Sequence, residues 1–284
     1  MTTAPATHDA PAQGLPSPVA RSLRRLTGMA TAEMRMLLRN KVAFFYAVAM
    51  APLMVLMLMN LPMVKTLAES MPQGGLATMI TTTLVLMGLS LAVYYNLTTA
   101  VVARRESLVL KRLRSGSSHP AEILASVALP NVLVLVVQAV LVLAATCAAF
   151  GAPAFTNPLL VLVGLGLGAA FFSICAFQTG VSTRTVEASQ LTTMPGVLLF
   201  MGISGMVVPL SSMPERVESL MHLLPVVPVS ELVMLGLNGT TMDGRHLGLA
   251  ETWAAAAQPV AVMVAWTIAC GWYLRRTMAW EPRR

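Results

Sequence analysis

Residues 78–102 and 125–150 are long apolar runs, and the stretch ARRESLVLKRLRSGSSHPAEIL, residues 103–124, lies between them. The runs cannot lie in water. The break carries Arg104, Arg105, Lys111, Arg112 and Arg114, and cannot lie in lipid. An arginine or lysine at the centre of a bilayer costs at least about 2.5 kcal/mol. The chain must therefore cross a membrane, turn at its surface and cross back. Composition agrees: 56% of the 284 residues are hydrophobic and only 11% are charged, too few to clothe a soluble surface.

A helix needs about 20 apolar residues to span the hydrocarbon core. Six stretches qualify: 42–61, 78–102, 125–150, 158–180, 191–210 and 253–274. The expected fold is an all-α polytopic membrane protein with six transmembrane helices. Residues 1–17, rich in Ala, Pro and Thr, read as a disordered cytoplasmic tail. Residues 18–41 read as an amphipathic helix in the headgroup layer, with Val19, Leu23, Leu26, Ala30, Met34 and Leu37 at helical spacing and arginines on the other faces. A soluble helical linker is the alternative there. No apolar core follows Met1 at signal-peptide distance, so the first span is expected to stay in the mature chain.

The connections are read as a loop at 62–77, the basic elbow at 103–124, an uncharged turn at 151–157 and a polar turn at 181–190. Residues 211–252 mix apolar runs with Pro214, Pro225 and Pro228 and with several glycines. They are too apolar for a solvated loop and too broken for one span. They read as an extracellular re-entrant or interfacial hairpin, since irregular backbone at membrane depth survives only where protein or water satisfies it. Residues 275–284 form a basic cytoplasmic tail.

With six spans both termini share a side, and that side collects sixteen of the 19 Lys and Arg residues, leaving Lys65, Arg216 and Arg245 opposite. The excess places both termini and the elbow in the cytoplasm of a cell-membrane protein.

Several chemistries are absent from the pattern. The three lysines follow Asn40, Val64 and Leu110, so there is no P-loop, and there is no H-E-x-x-H. No catalytic residue, metal site or cofactor is expected in this chain. Basic residues flank the apolar runs and form no separate basic domain, which argues against nucleic acid. Cys147, Cys175 and Cys270 fall within spans as small hydrophobes. Gly202-Ile203-Ser204-Gly205 is similar to the G-x-S-G of rhomboid intramembrane proteases, but the sixth span offers no histidine as general base. The Gly164, Gly166, Gly168 run reads as a helix-packing face. Charge inside the spans is nearly absent, so an ion-coupled mechanism lacks its carboxylates. Glu231 is the one candidate, and it is expected at the interface.

At the elbow, Ala103-Arg104-Arg105-Glu106 followed by Leu110-Lys111-Arg112-Leu113-Arg114 resembles the cytoplasmic signature of type-2 ATP-binding-cassette exporter permeases. The resemblance is strongest to the actinobacterial drug-resistance branch, of which the daunorubicin exporter is typical. There an R-E-x-G-x-L-x-x-L-R-x-x-P run forms the coupling helix that docks on a separate ATPase. Ser204-Gly205 with Pro209, then Pro214 and Pro225, resembles the family's S-G-x-x-x-P, P and P pattern before its outer re-entrant helices. Two positions depart: Leu108 stands where the family often has Gly, and the elbow's proline appears only at Pro120.

The resemblance implies a permease that exports a drug, natural product or lipid. It implies two copies of a partner ATPase that bind the ATP and Mg, and a homodimer of this chain in membrane lipid. From the residues, Arg105 and Glu106 are expected to cap and orient a short helix. Leu108, Leu110 and Leu113 would give it an apolar edge, with Arg112 and Arg114 meeting acidic groups on the partner and Arg104 and Lys111 part of the same coupling set. An ordinary positive-inside loop is the alternative. Ser204, Gly205, Pro209, Pro214, Pro225 and Glu231 would form the re-entrant gate. Met50, Met54, Met57 and Met87, with Met59, offer a soft substrate path or plain packing. The competing functions are a membrane scaffold or receptor without transport, or a rhomboid-like protease using Ser204.

Overall fold

The computed structural model describes residues 41–115, 119–204 and 214–278, with scattered positions between 27 and 39. The tail 1–17, most of the interfacial helix 18–41, Gly205, Pro209 and the final arginines Arg283 and Arg284 lie outside the described residues. Among the described residues the chain is helical, apart from one isolated bridge between Thr240 and His246.

The helices are α1 (Lys41–Leu58), α2 (Pro62–Ser70), α3 (Gly75–Glu106), α4 (Val109–Ser115), α5 (Pro120–Phe150), α6 (Pro158–Ser182), α7 (Val186–Gly202), α8 (Glu215–Met221), α9 (Val227–Asn238) and α10 (Leu249–Thr277). Four of them, α3, α5, α6 and α10, are long and apolar enough to cross a membrane. Helix α1 has 18 residues and α7 has 17, each about one hydrocarbon core long.

Helix boundaries differ from the apolar runs because capping, not hydropathy, decides where a helix stops. The second span was expected at 78–102 but the helix continues to Glu106. Helix α5 begins at Pro120, inside the expected elbow, because Pro at the first helical position loses no hydrogen bond. The His119 imidazole and the Glu122 carboxylate cap that end reciprocally: Ala121 N–H donates to His119 Nδ1 at 3.3 Å, and His119 N–H donates to Glu122 Oε2 at 3.3 Å. Helix α7 starts at Val186, where Thr185 Oγ1 accepts from Ala188 N–H at 3.2 Å, and the polar turn shrinks to 183–185. The expected loop 62–77 contains α2, and the sixth run extends to 249–277.

Helix α3 is the axis of the bundle. Its most apolar window is 72% buried, against 22% for α5 and 17% for α10. It touches α5, α6, α7 and α9. Midway, Leu89–Tyr95 winds as a π-helix, an extra residue that turns Tyr94 toward α6 and α7. Tyr94 Oη lies 3.1 Å from Thr179 Oγ1, and its ring meets Phe200 edge-on at 5.2 Å. Hydroxyls fasten the same face: Thr98 Oγ1 donates to the Ala176 carbonyl oxygen at 3.3 Å, and Thr99 lies 3.2 Å from Ser189. In lipid such bonds are worth about 0.6–2 kcal/mol each.

In its described part, the broken segment after the fifth span folds as the two short helices α8 and α9. Pro214 caps α8, Pro225 lies in the turn, and α9 is buried among α3, α6 and α10. Val227, Val229, Leu232 and Val233 are fully enclosed. The approach to α6 is close enough that a Cβ on Gly236 would sit 2.5 Å from Val161 Cγ2. The end of α9 also satisfies the irregular turn 151–157. Phe155 N–H donates to the Leu237 carbonyl oxygen at 2.7 Å, and Asn157 N–H to that of Gly236 at 3.0 Å.

Candidate coupling surface

The elbow is built from the end of α3, a two-residue corner and α4. Ser107 closes α3 by donating to the Ala103 carbonyl oxygen at 2.9 Å. Leu108 then adopts φ +60, the left-handed region that glycine enters without a steric cost. This is the position where the resembled pattern often carries Gly. The corner requires the conformation, and here a leucine is held in it.

The elbow has an inner and an outer face. Arg105 is turned inward and is only 2% exposed. Its Nη1 lies 2.6, 3.1 and 3.2 Å from the carbonyl oxygens of Gly180, Val181 and Thr183, the end of α6. A helix leaves its last carbonyls without intrahelical donors and carries partial negative charge there. The guanidinium supplies both the donors and the opposite charge. Arg105 was expected to orient a short helix of its own at a docking surface. It is instead a buried clamp between α3 and α6.

Leu110 is a second correction. It was expected on the partner-facing edge, but it is fully enclosed and belongs to the main core with Leu97, Val101 and Ile123. Leu113 is half-buried against that core. One turn of helix cannot point Leu108, Leu110 and Leu113 the same way, and the burial went to the last two.

The outer face carries Glu106, Leu108, Val109, Lys111, Arg112 and Arg114, all exposed, with Arg104 half-buried beside them. Val109 had not been singled out, and its apolar side chain joins Leu108 there. The result is a small apolar ridge rimmed by cations on one end of the bundle. Arg184 and the last-turn residues Arg275 and Arg276 lie at the same end. The opposite end carries Lys65, Arg216 and Arg245 together with Glu69, Glu218, Glu231, Asp243 and Glu251.

The other expected site residues fall elsewhere. Ser204 Oγ donates to the Met201 carbonyl oxygen at 2.7 Å, a hydroxyl closing the end of α7. Ser230 Oγ in turn donates to the Ser204 carbonyl oxygen at 3.4 Å. His222, the nearest histidine in sequence, is engaged with Glu231, Nδ1 to Oε1 2.5 Å. That pair faces a cavity of about 370 Å³ shared with Ser219, Asp243, Arg245 and Gln258. Met54 and Met57 are exposed on α1, whereas Met87 packs in a satellite core with Val55 and Leu84. The side chain of Met50 lies outside the described residues.

A charged corner between two membrane helices, a buried short helix before the last one and an apolar bundle define a multi-pass membrane protein. Residues 31–274 match the model of the ABC-2 family transporter proteins. The chain belongs to the ABC-2 family. It is the membrane-spanning permease subunit of an ATP-binding-cassette transporter, a kind of chain that works with an ATP-binding partner subunit. Among curated proteins, none matches it.

Proposed function

We propose that this permease exports a hydrophobic or amphipathic substrate and that the outer face of α4 is where the ATP-binding subunit docks. The observation carrying this reading is the two-faced elbow. A cationic and apolar face is presented outward, while Arg105 on its inner face grips the end of α6. A push on α4 is then delivered to both α3 and α6, and from α3 through the Thr99–Ser189 contact to α7.

The elbow end is cytoplasmic in this reading, with six spans and both termini on the cytoplasmic side of the cell membrane, and the positive-inside bias supports it. Two copies of the chain meet through α1 and α7, since α3 is enclosed within the bundle. In support, Met57 on α1 and Leu191 and Leu198 on α7 are 70%, 78% and 68% exposed. Two ATPase copies then serve one substrate path lined in part by the exposed Met54 and Met57, with α8 and α9 as its outer gate. An uncharged path suits drugs, natural products and lipids, as in the drug-resistance branch the elbow resembles.

The test is reconstitution of the chain with its ATP-binding subunit in proteoliposomes. Stimulated ATP hydrolysis and outward movement of a lipophilic dye are expected. Hydrolysis that is equal with and without the permease would overturn the assignment.

A further inference from the structure

A groove lined by no described residue of α1 or α7 shares only Arg114 with that scheme. It encloses about 910 Å³ between α5, α6 and α10. It exists because the helices diverge: α10 packs along α6, whereas α5 packs on α1 and α3 and only grazes α6. Its mouth, at the elbow end, carries Arg114, His119 and Arg275. Its walls are mostly apolar, including Leu129, Val132 and Phe177. The Glu122 carboxylate lies beside that mouth, where it accepts from His119 N–H.

The glycine run in α6 explains the opening. Gly168 would bring a Cβ within 3.0 Å of Leu89, and Gly164 within 3.0 Å of Leu232, so both are packing contacts. Gly166 sits between them on another face, where an added Cβ meets nothing within 4 Å. It faces the groove. From Pro120 to Val132 along α5 the groove is about 18 Å deep at helical rise, close to the roughly 15 Å of hydrocarbon in one leaflet.

We infer that this groove holds an anionic phospholipid of the inner leaflet, its acyl chain along Gly166 and its phosphate between Arg114 and Arg275. Three features fix the occupant. The depth matches one leaflet, the walls are hydrocarbon, and the mouth is cationic where a phosphate would lie. A peptide would leave its backbone unsatisfied against such walls, and basic pockets between membrane helices on the cytoplasmic side suit anionic headgroups. The volume lies within the roughly 300–1,000 Å³ usual for small-molecule sites.

The experiment uses the full chain alone, so its outcome is independent of any ATPase partner. The protein is equilibrated with vesicles of equal phosphatidylglycerol and phosphatidylcholine, extracted, and weighed by native mass spectrometry. Preferential retention of phosphatidylglycerol is expected. Arg275→Gln should weaken it about fivefold, and Arg275→Gln with Arg114→Gln about twentyfold, with phosphatidylcholine unchanged. Gly166→Phe should exclude both lipids. Arg275 is exposed, so its variant reads the site even if Gly166→Phe does not fold. Equal retention of the two lipids, or retention indifferent to Arg275→Gln, overturns the inference. So does a folded Gly166→Phe variant that keeps its phosphatidylglycerol but loses export, which would make cargo the occupant.

Discussion

Two short helices, α4 and α9, each interrupt the pattern of long spans, and the protein treats them in opposite ways. Helix α9 is mostly apolar, with Glu231 turned to the His222 cavity, and is enclosed by α3, α6 and α10. Helix α4 buries Leu110 and shows Lys111, Arg112 and Arg114 outside. The first is part of the core, and its side chains are fixed by volume. The second is a surface mounted on the core, and its side chains are fixed by what they could meet. Burial, more than sequence distance from a span, separates the element that holds the bundle together from the element a partner can reach.

That contrast can be broken by substitution. The largest expected effect is at α9, where Gly236→Leu would force side-chain atoms into Val161 and cost about 3 kcal/mol. A thermal melt of the purified protein in detergent measures it. Next is the inner face of the elbow. Arg105→Ala removes the donors from the Gly180, Val181 and Thr183 carbonyls and should cost about 2 kcal/mol in the same assay. An unchanged melt would mean that the clamp does not hold α6.

The outer face should behave differently. Lys111→Glu with Arg112→Glu is expected to lower partner-stimulated ATP hydrolysis about tenfold, through like-charge or lost contacts. The melt should shift less than it does for Arg105→Ala, since both residues are exposed and Arg105 is buried. Equal damage to stability and coupling would erase the distinction between faces. The smallest effect is at the corner. Leu108→Gly should stabilise by about 0.5–1 kcal/mol, because φ +60 strains a leucine. Denaturation that starts earlier in this variant would show that the exposed leucine has intramolecular contacts of greater worth.

The sequence made the layers of this protein readable and its faces much less so. Apolar runs of bilayer length located the long helices, since hydropathy reports directly on lipid solubility. Their ends were misplaced by a few residues wherever a cap outweighed composition, as at His119 and Thr185. The position of the elbow was plain from five cations between two apolar runs. Which of those cations faces inward was not, because Arg105 is chosen by carbonyls at Gly180, Val181 and Thr183, some 75 residues away. Leu110 was missed for a related reason: seven residues of helix are too few for a periodicity to declare a face. The glycines of α6 read as one packing stripe, yet Gly166 lies on open space between two that pack.

The outer face of α4 is the central claim, and cysteine labelling tests it most directly. In a background with Cys147, Cys175 and Cys270 replaced, Arg112→Cys would be exposed to a membrane-impermeant maleimide. The account predicts labelling in inside-out vesicles only, and protection when the ATP-binding subunit is added. Labelling from the outside of intact cells, or labelling that the partner does not diminish, would contradict it.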